Sequence, residues 1–311
     1  MAEPAIFEQE RDRLWGIAYR ITGSVADADD ALQDAWLRWE PLPDDEVRAP
    51  RAYLTTVISR ICYDQLTSAR ARREAYVGTW LPEPLVTEAG PEERVTLDDS
   101  VGTAMLFVLE RLTPAERTAF ILHDVFSVPF ADIADAVGRS PDSVRQLASR
   151  GRRRVRAEAP RRSVDRRESR RAVDAFLKAV MAGDFDALLE VLDPDAVLRS
   201  DGGGRVTAAR LPVIGGEKVA TFMTRILRNF DPDRMRLVAR DVNGAPGALL
   251  YDVLTGPVAV WSFTVGEGRI RTIDGVLNPD KLGHVRTDER PEDEAYRLTA
   301  ARPAPALRSP H

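Results

Sequence analysis

The side chains best placed by type and spacing to do chemistry lie at 129–156, PFADIADAVGRSPDSVRQLASRGRRRVR. Phe130, Ile133, Ala134 and Val137 recur at helical spacing, and Gly138 suits a left-handed helix end. Ser140 can cap a second helix that has Pro141 at its first position. Val144, Leu147, Ala148 and Gly151 form that helix's apolar stripe. This is a helix-turn-helix pattern. At 100° per residue, Arg145, Gln146, Ser149, Arg152 and Arg153 fall opposite the stripe. Arg can fork onto guanine and Gln onto adenine in the major groove, Ser can serve either, and arginines at the helix end suit phosphates. A purely structural helix pair would not need so many arginines on its outer face.

A second set of chemical side chains lies nearer the N-terminus. In 27–40, DADDALQDAWLRWE, Ala28, Leu32, Ala35, Trp36 and Trp39 face inward. Asp27, Asp30, Gln33, Asp34 and an exposed Leu37 occupy the other face, which fits a protein partner better than DNA, unless it is an ordinary solvated face. The following PRAYLTTVISRICYDQL buries Leu54, Val57, Ile58 and Ile61. Its outer face gathers Thr56, Ser59, Arg60, Tyr63 and Thr67 and runs into SARARRE, with Arg70 and Arg72. Arginines interleaved with an aromatic suit single-stranded nucleic acid, where bases stack on rings and guanidinium planes. Tyr63 could equally be a packing residue.

The elements that must hold these groups follow from length and composition. At about 100–150 residues per domain, 311 residues predict two or three domains. The net charge of −5 conceals an asymmetry: residues 1–47 hold twelve Asp/Glu against four Arg, and residues 139–171 hold thirteen Arg against four Asp/Glu. Segregation of this kind implies one basic and one acidic partner. Helical periodicity covers 5–75 and 101–157, a Pro/Glu/Gly-rich linker covers 76–100, and 158–171 reads as a polar connection. Beyond a helix at 170–182 the period changes to two, at Arg236–Asp241, Ala248–Leu254, Val258–Val265 and Arg269–Val276, which predicts strands. Residues 286–311, rich in Pro, Ala and Arg, are expected to be disordered. One cysteine, Cys62, and three histidines exclude an intrachain disulfide and a Cys/His zinc site. No run of about 18–20 apolar residues is present and nothing at the N-terminus suggests secretion, so a cytoplasmic protein without a membrane partner is expected.

Together these residues resemble extracytoplasmic-function sigma factors. DADDALQDAWLRW resembles the helix that grips the polymerase clamp helices, and RAYLTTVISRICYDQLTSARARRE the helix that melts and reads the minus-ten element. LTPAERTAFILHDVFSVPFADIADAVGRSPDSVRQLASRGRRRVR resembles the domain that reads the minus-thirty-five element. Arg60 stands where many members carry an Asn that holds a flipped base. WLPEPLV at 80–86, DGGGR at 201–205 and NPDKL at 278–282 are similar to signatures of the SigJ-type subgroup. Its members append a SnoaL-like domain, a curved sheet wrapped by helices into a cone, viewed as a regulator acting in cis.

The resemblance implies a multidomain chain: two all-α sigma domains, the second with the helix-turn-helix, followed by an α+β SnoaL-like cone. The expected bounds are 1–75 for core-polymerase and minus-ten binding, 76–100 for the linker, 101–160 for minus-thirty-five binding, 170–285 for the SnoaL-like domain and 286–311 for the tail. Trp80, Leu81 and Pro82 form a stiff apolar linker expected to dock. With Asp201, Gly202, Gly203, Asn278, Pro279 and Asp280 they are the candidate interdomain residues, although the glycines and the turn could be merely structural. The implied partners are core RNA polymerase, promoter DNA and the chain's own C-terminal domain, with a small-molecule ligand of that domain open. Asp195, Asp201, Asp252 and Asp274 are the acid/base candidates; His284, the one histidine of the domain, lies after the last predicted strand. There is no nucleophile motif, phosphate loop or metal-ligand cluster, so neither catalysis, nor a metal, nor a cofactor is expected. The alternative, a helix-turn-helix regulator fused to a small-molecule sensor or enzyme, explains neither the acidic 27–40 face nor the basic 51–73 helix.

Overall fold

The computed structural model describes residues 3–43, 46–74, 76–87, 103–158, 165–227, 230–286 and 295–297. The chain divides into two units, one of residues 1–76 with 104–159, the other of 77–103 with 160–311. The helical parts expected as separate domains thus share one unit, and the linker belongs with the C-terminal one.

The helical unit opens with α1 (Pro4–Thr22), α2 (Val25–Trp39) and α3 (Pro50–Glu74). Gly23, at φ +72°, ends α1, and the Ser24 side chain then caps α2 by accepting from the Asp27 amide. Leu14, Ile17 and Ile21 of α1 meet Ala28, Ala31 and Ala35 of α2 and Leu54 and Ile58 of α3, all fully buried. Small residues on α2 allow the helices to approach closely. Cys62 is buried among them, and burial pushes its thiol far above the ordinary range.

Four further helices complete this unit: α4 (Thr103–Glu110), α5 (Pro114–Phe120), α6 (Phe130–Val137) and α7 (Pro141–Glu158). A turn of π-helix, Ile121–Val125, follows α5. Gly138, at φ +66°, ends α6, and Ser140 Oγ accepts from the Ser143 amide to start α7. Gly151 lets α7 cross α5, since a Cβ there would stand 3.1 Å from the Phe120 Cβ. Arg117, fully buried on α5, donates to the Arg20 carbonyl at the end of α1 from Nε and Nη2, at 3.2 and 3.1 Å, and pairs with Glu110. With α3 packed on α6, these bonds join the two helical parts.

A capping box starts α5: Thr113 Oγ1 accepts from the Glu116 amide, and Glu116 accepts from the Thr113 amide at 3.1 Å. Arg150 and Arg154 of α7 lie 3.1 and 3.5 Å from the same carboxylate. Burial opposes ionisation of Glu116, but the Thr113 bonds and the two arginines prevail and hold its pKa below the usual carboxylate range. A depressed carboxylate stabilises the fold fully above its unfolded pKa, about 4.3, and that stability is lost as pH falls through the folded value. Glu116→Gln should therefore lose about 0.5–2 kcal/mol at neutral pH, the usual range for a cap. It should also flatten the acid limb of a urea-melt pH series below pH ~4.3; an unchanged limb would contradict the account.

The second unit is α+β. After β1 (Val86–Thr87), the chain re-enters at α8 (Arg166–Ala182) and α9 (Phe185–Val191). It continues through β2 (Leu192–Asp201), β3 (Val213–Ile214), α10 (Gly216–Leu227), β4 (Met235–Val242), β5 (Ala245–Asp252), β6 (Gly256–Gly266), β7 (Arg269–Val276) and β8 (Ala295–Arg297). The sheet order is β1-β4-β5-β6-β7-β2-β3, with β8 also on β4. Only the β2–β7 pair is parallel among the described strands. Val173, Phe176 and Val180 of α8 and Val219 and Met223 of α10 pack on Leu198, Leu237, Leu250, Trp261 and Ile273 of the sheet. Gly275, paired with Trp261, leaves room for the indole: a Cβ there would lie 2.2 Å from the ring.

Two expectations are corrected here. The polar connection expected at 158–171 is helical from Arg166, because Arg166 and Arg170 reach across to the buried Asp241 on β4. The tail expected to be disordered contributes β8, which pairs Ala295–Arg297 with Arg236–Val238. Residues 287–294 and 298–311 lie outside the described residues.

Candidate functional site

On α7 the side chains opposite the buried stripe are presented outward. Arg145, Gln146, Ser149 and Arg153 are exposed, and Val144, Leu147, Ala148 and Gly151 are buried. Arg145 is steadied by Asp142 at 3.1 Å and lies over the Phe130 ring, 5.5 Å from its centroid. Arg152 is half-buried and paired with Asp124 at 2.7 Å, which raises its pKa further. Three arginines of the cluster, 150, 152 and 154, thus make ion pairs with acidic groups of the same unit while 150 and 154 stay exposed. Arg145, Gln146 and Ser149 form one polar strip on a rigid helix, able to donate to base edges.

The acidic face of α2 is equally clear. Asp30, Gln33, Asp34 and Leu37 are exposed, Leu37 to 57 %, and Asp27 is half-buried beside the Ser24 cap. On α3, Arg60 is exposed and Tyr63 half-buried. Ser59, expected on that outer face, is instead fully buried, with its hydroxyl donated to the Thr55 carbonyl at 2.6 Å. Arg70 and Arg72 lie on α3, but their side chains are outside the described residues.

The third set of groups converges in the C-terminal unit. Asp201 ends β2 and is 1 % exposed. Its Oδ2 accepts from the Leu81 amide at 2.9 Å and from Lys281 Nζ at 2.7 Å, and its Oδ1 accepts from the Gly203 amide at 3.1 Å. Lys281, 6 % exposed, also donates to the Leu81 carbonyl at 2.5 Å and stands 3.8 Å from the centre of the Trp80 ring. Both backbone groups of Leu81 are thereby held by one buried ion pair, and its side chain is 1 % exposed. The clamp continues down the linker. His284 Nε2 donates to the Pro84 carbonyl at 2.8 Å, Leu85 donates to Asn243 Oδ1 at 2.7 Å, and Val86 and Thr87 form β1 against β4.

The turns serve this clamp. Asn278 accepts from the Asp280 amide and so caps the 3-10 turn Pro279–Lys281 that carries the lysine. Gly203, at φ +59°, packs so tightly on Asn278 that a Cβ would fall 2.3 Å from its amide. Pro82 is buried. Asp280, a candidate from sequence, points outward instead: its carboxylate is 61 % exposed and pairs with Arg205 at 3.2 Å. Lys281, Asn243 and His284 were not foreseen as linker contacts.

Three of the four acid/base candidates are engaged in ion pairs. Asp201 is engaged as above, Asp252 pairs with Arg234 at 2.5 Å, and Asp195 is exposed. Asp274 pairs with Arg199 at 2.5 Å, and its pKa is raised by burial despite that partner. Among the described residues no group of three or more His, Cys, Asp or Glu could hold a metal ion. No described helix is long and apolar enough to cross a membrane.

Comparison with known proteins agrees with this geometry segment by segment. The chain matches the family models for sigma-70 region 2 at residues 6–72, sigma-70 region 4 at 103–155 and the SnoaL-like domain at 173–277. It is 40 % identical to the ECF RNA polymerase sigma factor SigJ of Mycobacterium tuberculosis, over 90 % of this chain and 93 % of that one. It is 34 % identical to the probable ECF RNA polymerase sigma factor SigI of the same organism, over 91 % and 96 %. The crystal structure of M. tuberculosis SigJ superposes with a TM-score of 0.71 at 35 % identity, covering 90 % of this chain and 98 % of that one. Likeness of this extent over nearly the whole length places the chain in the extracytoplasmic-function sigma factors, non-enzymatic RNA polymerase initiation factors, here with an appended SnoaL-like domain.

Proposed function

We propose that this sigma factor is controlled in cis, its C-terminal domain setting promoter activity by holding the linker between the two DNA-reading parts. The single observation that carries the reading is the buried Asp201–Lys281 pair bonded to both backbone groups of Leu81. The clamped segment joins α3 to α4, so it sets how much free chain tethers one reading part to the other. Because the domain is tethered too, even weak contacts act at roughly millimolar effective concentration. The compact helical unit gives such control something to act on. Separating the two readers means giving up the Arg117–Arg20 bonds and the α3–α6 packing.

Core polymerase and promoter DNA are the partners of a sigma factor. We assign the α2 face of Asp27, Asp30, Gln33, Asp34 and Leu37 to the polymerase, because an acidic surface repels DNA. Arg60 and Tyr63, with Arg70 and Arg72, are assigned to the melted strand. Arg145, Gln146 and Ser149 are assigned to base edges, with Arg152 and Arg153 to phosphates. Arg145→Ala and Gln146→Ala should each weaken binding to the upstream promoter element by about 1–3 kcal/mol and relax its specificity. Fluorescence anisotropy on duplexes varied one base pair at a time checks this; unchanged specificity would reassign the face.

Cis control is tested by run-off transcription with the full chain, a chain trimmed after residue 286 and one lacking the C-terminal domain. Removal of the domain should lower output, whereas trimming should leave or raise it. Equal output from all three would make the domain a passenger and favour a separate sensor.

A further inference from the structure

The C-terminal unit contains a cavity of about 690 Å³ for which the clamp has no use. Its walls are mainly apolar, with Phe222, Ile226, Phe230 and Leu277 among them. Arg225, exposed on α10, is the one charged residue among the described lining residues. The volume suits a small organic molecule. A lone guanidinium above apolar walls recognises a carboxylate or similar anion on an apolar body. No carboxylate is among the described lining residues, so this geometry favours binding without turnover.

The rim of the same cavity is the segment Val206–Ala208, which follows the DGGGR turn. It is folded back on the residue beside the clamp: a Cβ on Gly202 would stand 2.6 Å from the Val206 carbonyl oxygen and 2.8 Å from the Ala208 Cβ. The Ala209 amide donates to Ser200 Oγ at 2.8 Å, and the Val206 amide to the Gly202 carbonyl at 3.2 Å. Gly202, next to Asp201, is thus packed on and bonded to the cavity rim, and Ser200, on its other side, is bonded to Ala209, the residue that follows the rim. A ligand that moves the rim moves the backbone that aims the Asp201 carboxylate at Leu81.

We infer that this cavity binds a small organic anion with an apolar body, held by Arg225, and that its occupancy shifts the Asp201–Lys281 clamp on the linker. The regulatory half rests on the cis-control reading above; the binding half does not. A ligand with differential affinity for the clamped and released states shifts their ratio by that difference.

The test titrates the full chain calorimetrically with octanoate, and with 1-octanol and octylammonium as its neutral and cationic counterparts. Octanoate should bind more tightly than both. Arg225→Gln should weaken octanoate about tenfold or more, the loss of a charge-assisted bond, while leaving 1-octanol unchanged. Hydrogen exchange then follows the Leu81 and Leu85 amides, and saturating octanoate should alter their exchange rates several-fold. No octanoate binding, equal binding of all three probes, or wild-type affinity in Arg225→Gln overturns the site. Octanoate binding with unchanged exchange at both amides overturns the coupling. If octanoate binds but Asp201→Asn leaves transcription unchanged, the cis-control reading fails and the binding site stands.

Discussion

Lys281→Met should release the linker from the C-terminal domain while leaving the sheet folded. Methionine keeps an apolar stem beside Trp80 but removes the cation that lies 2.7 Å from Asp201. The carboxylate is then left buried without the lysine's charge, while the Leu81 and Gly203 amides still donate to it. Breaking one half of a buried pair costs about 3–5 kcal/mol, far more than an exposed pair contributes. The cheapest escape is local, since lifting the linker lets water reach Asp201. The expected readout is loss of hydrogen-exchange protection at the Leu81 and Leu85 amides, with protection in β5 and β6 retained. Arg205→Ala, which removes the exposed Asp280 pair, should leave both amides as they are. Equal protection of Leu81 in wild type and Lys281→Met would show that the ion pair does not hold the linker.

Asp30→Arg combined with Asp34→Arg should abolish association with core polymerase. Both side chains are exposed on α2, and neither caps a helix nor takes part in the α1–α3 core, so the fold has little reason to respond. Surface changes of this kind usually stay within about 0.5 kcal/mol of wild-type stability. Reversing two charges in a complementary interface replaces attraction by like-charge contacts costing several kcal/mol. Size-exclusion chromatography with core enzyme should show no complex, with circular dichroism and melting unchanged. Normal co-elution of the double variant would remove this face from the polymerase interface.

How far the residues disclosed these sites depended on whether the controlling contacts were local. The helix-turn-helix was legible because Gly138, Ser140 and Pro141 act on their own backbone, and because the α7 stripe repeats at 3.6 residues. Strands β4 to β7 were legible by alternation. β2 was not, because LDPDAVLRSD carries Pro194 and four Asp or Arg side chains, among them Arg199, paired with Asp274, and Asp201, paired with Lys281. Ser59 lies on the side that periodicity assigns to solvent, and a small hydroxyl bonded to its own helix is easily buried there. Lys281, between Asp280 and Leu282, reads as a solvated charge, and its partners lie 80 and 200 residues away. Arg117 is similar, being bonded across 97 residues to the carbonyl of Arg20. In the NPDKL motif the aspartate is the candidate from sequence, but the lysine is the buried residue. The signal that could have found it was composition: only three of the chain's 44 cations are lysine, and one of them sits in this motif.

Cis control through the clamp is tested most directly by reconstituted run-off transcription with core enzyme. Full-length wild type, Lys281→Met, Arg205→Ala and a domain-deleted chain should be compared at equal occupancy of polymerase. Under cis control, Lys281→Met should shift output in the same direction as domain deletion, by several-fold, while Arg205→Ala matches wild type and affinity for the isolated upstream element is the same in all four. Wild-type output from Lys281→Met, in a protein whose Leu81 amide has demonstrably lost its protection, would contradict it.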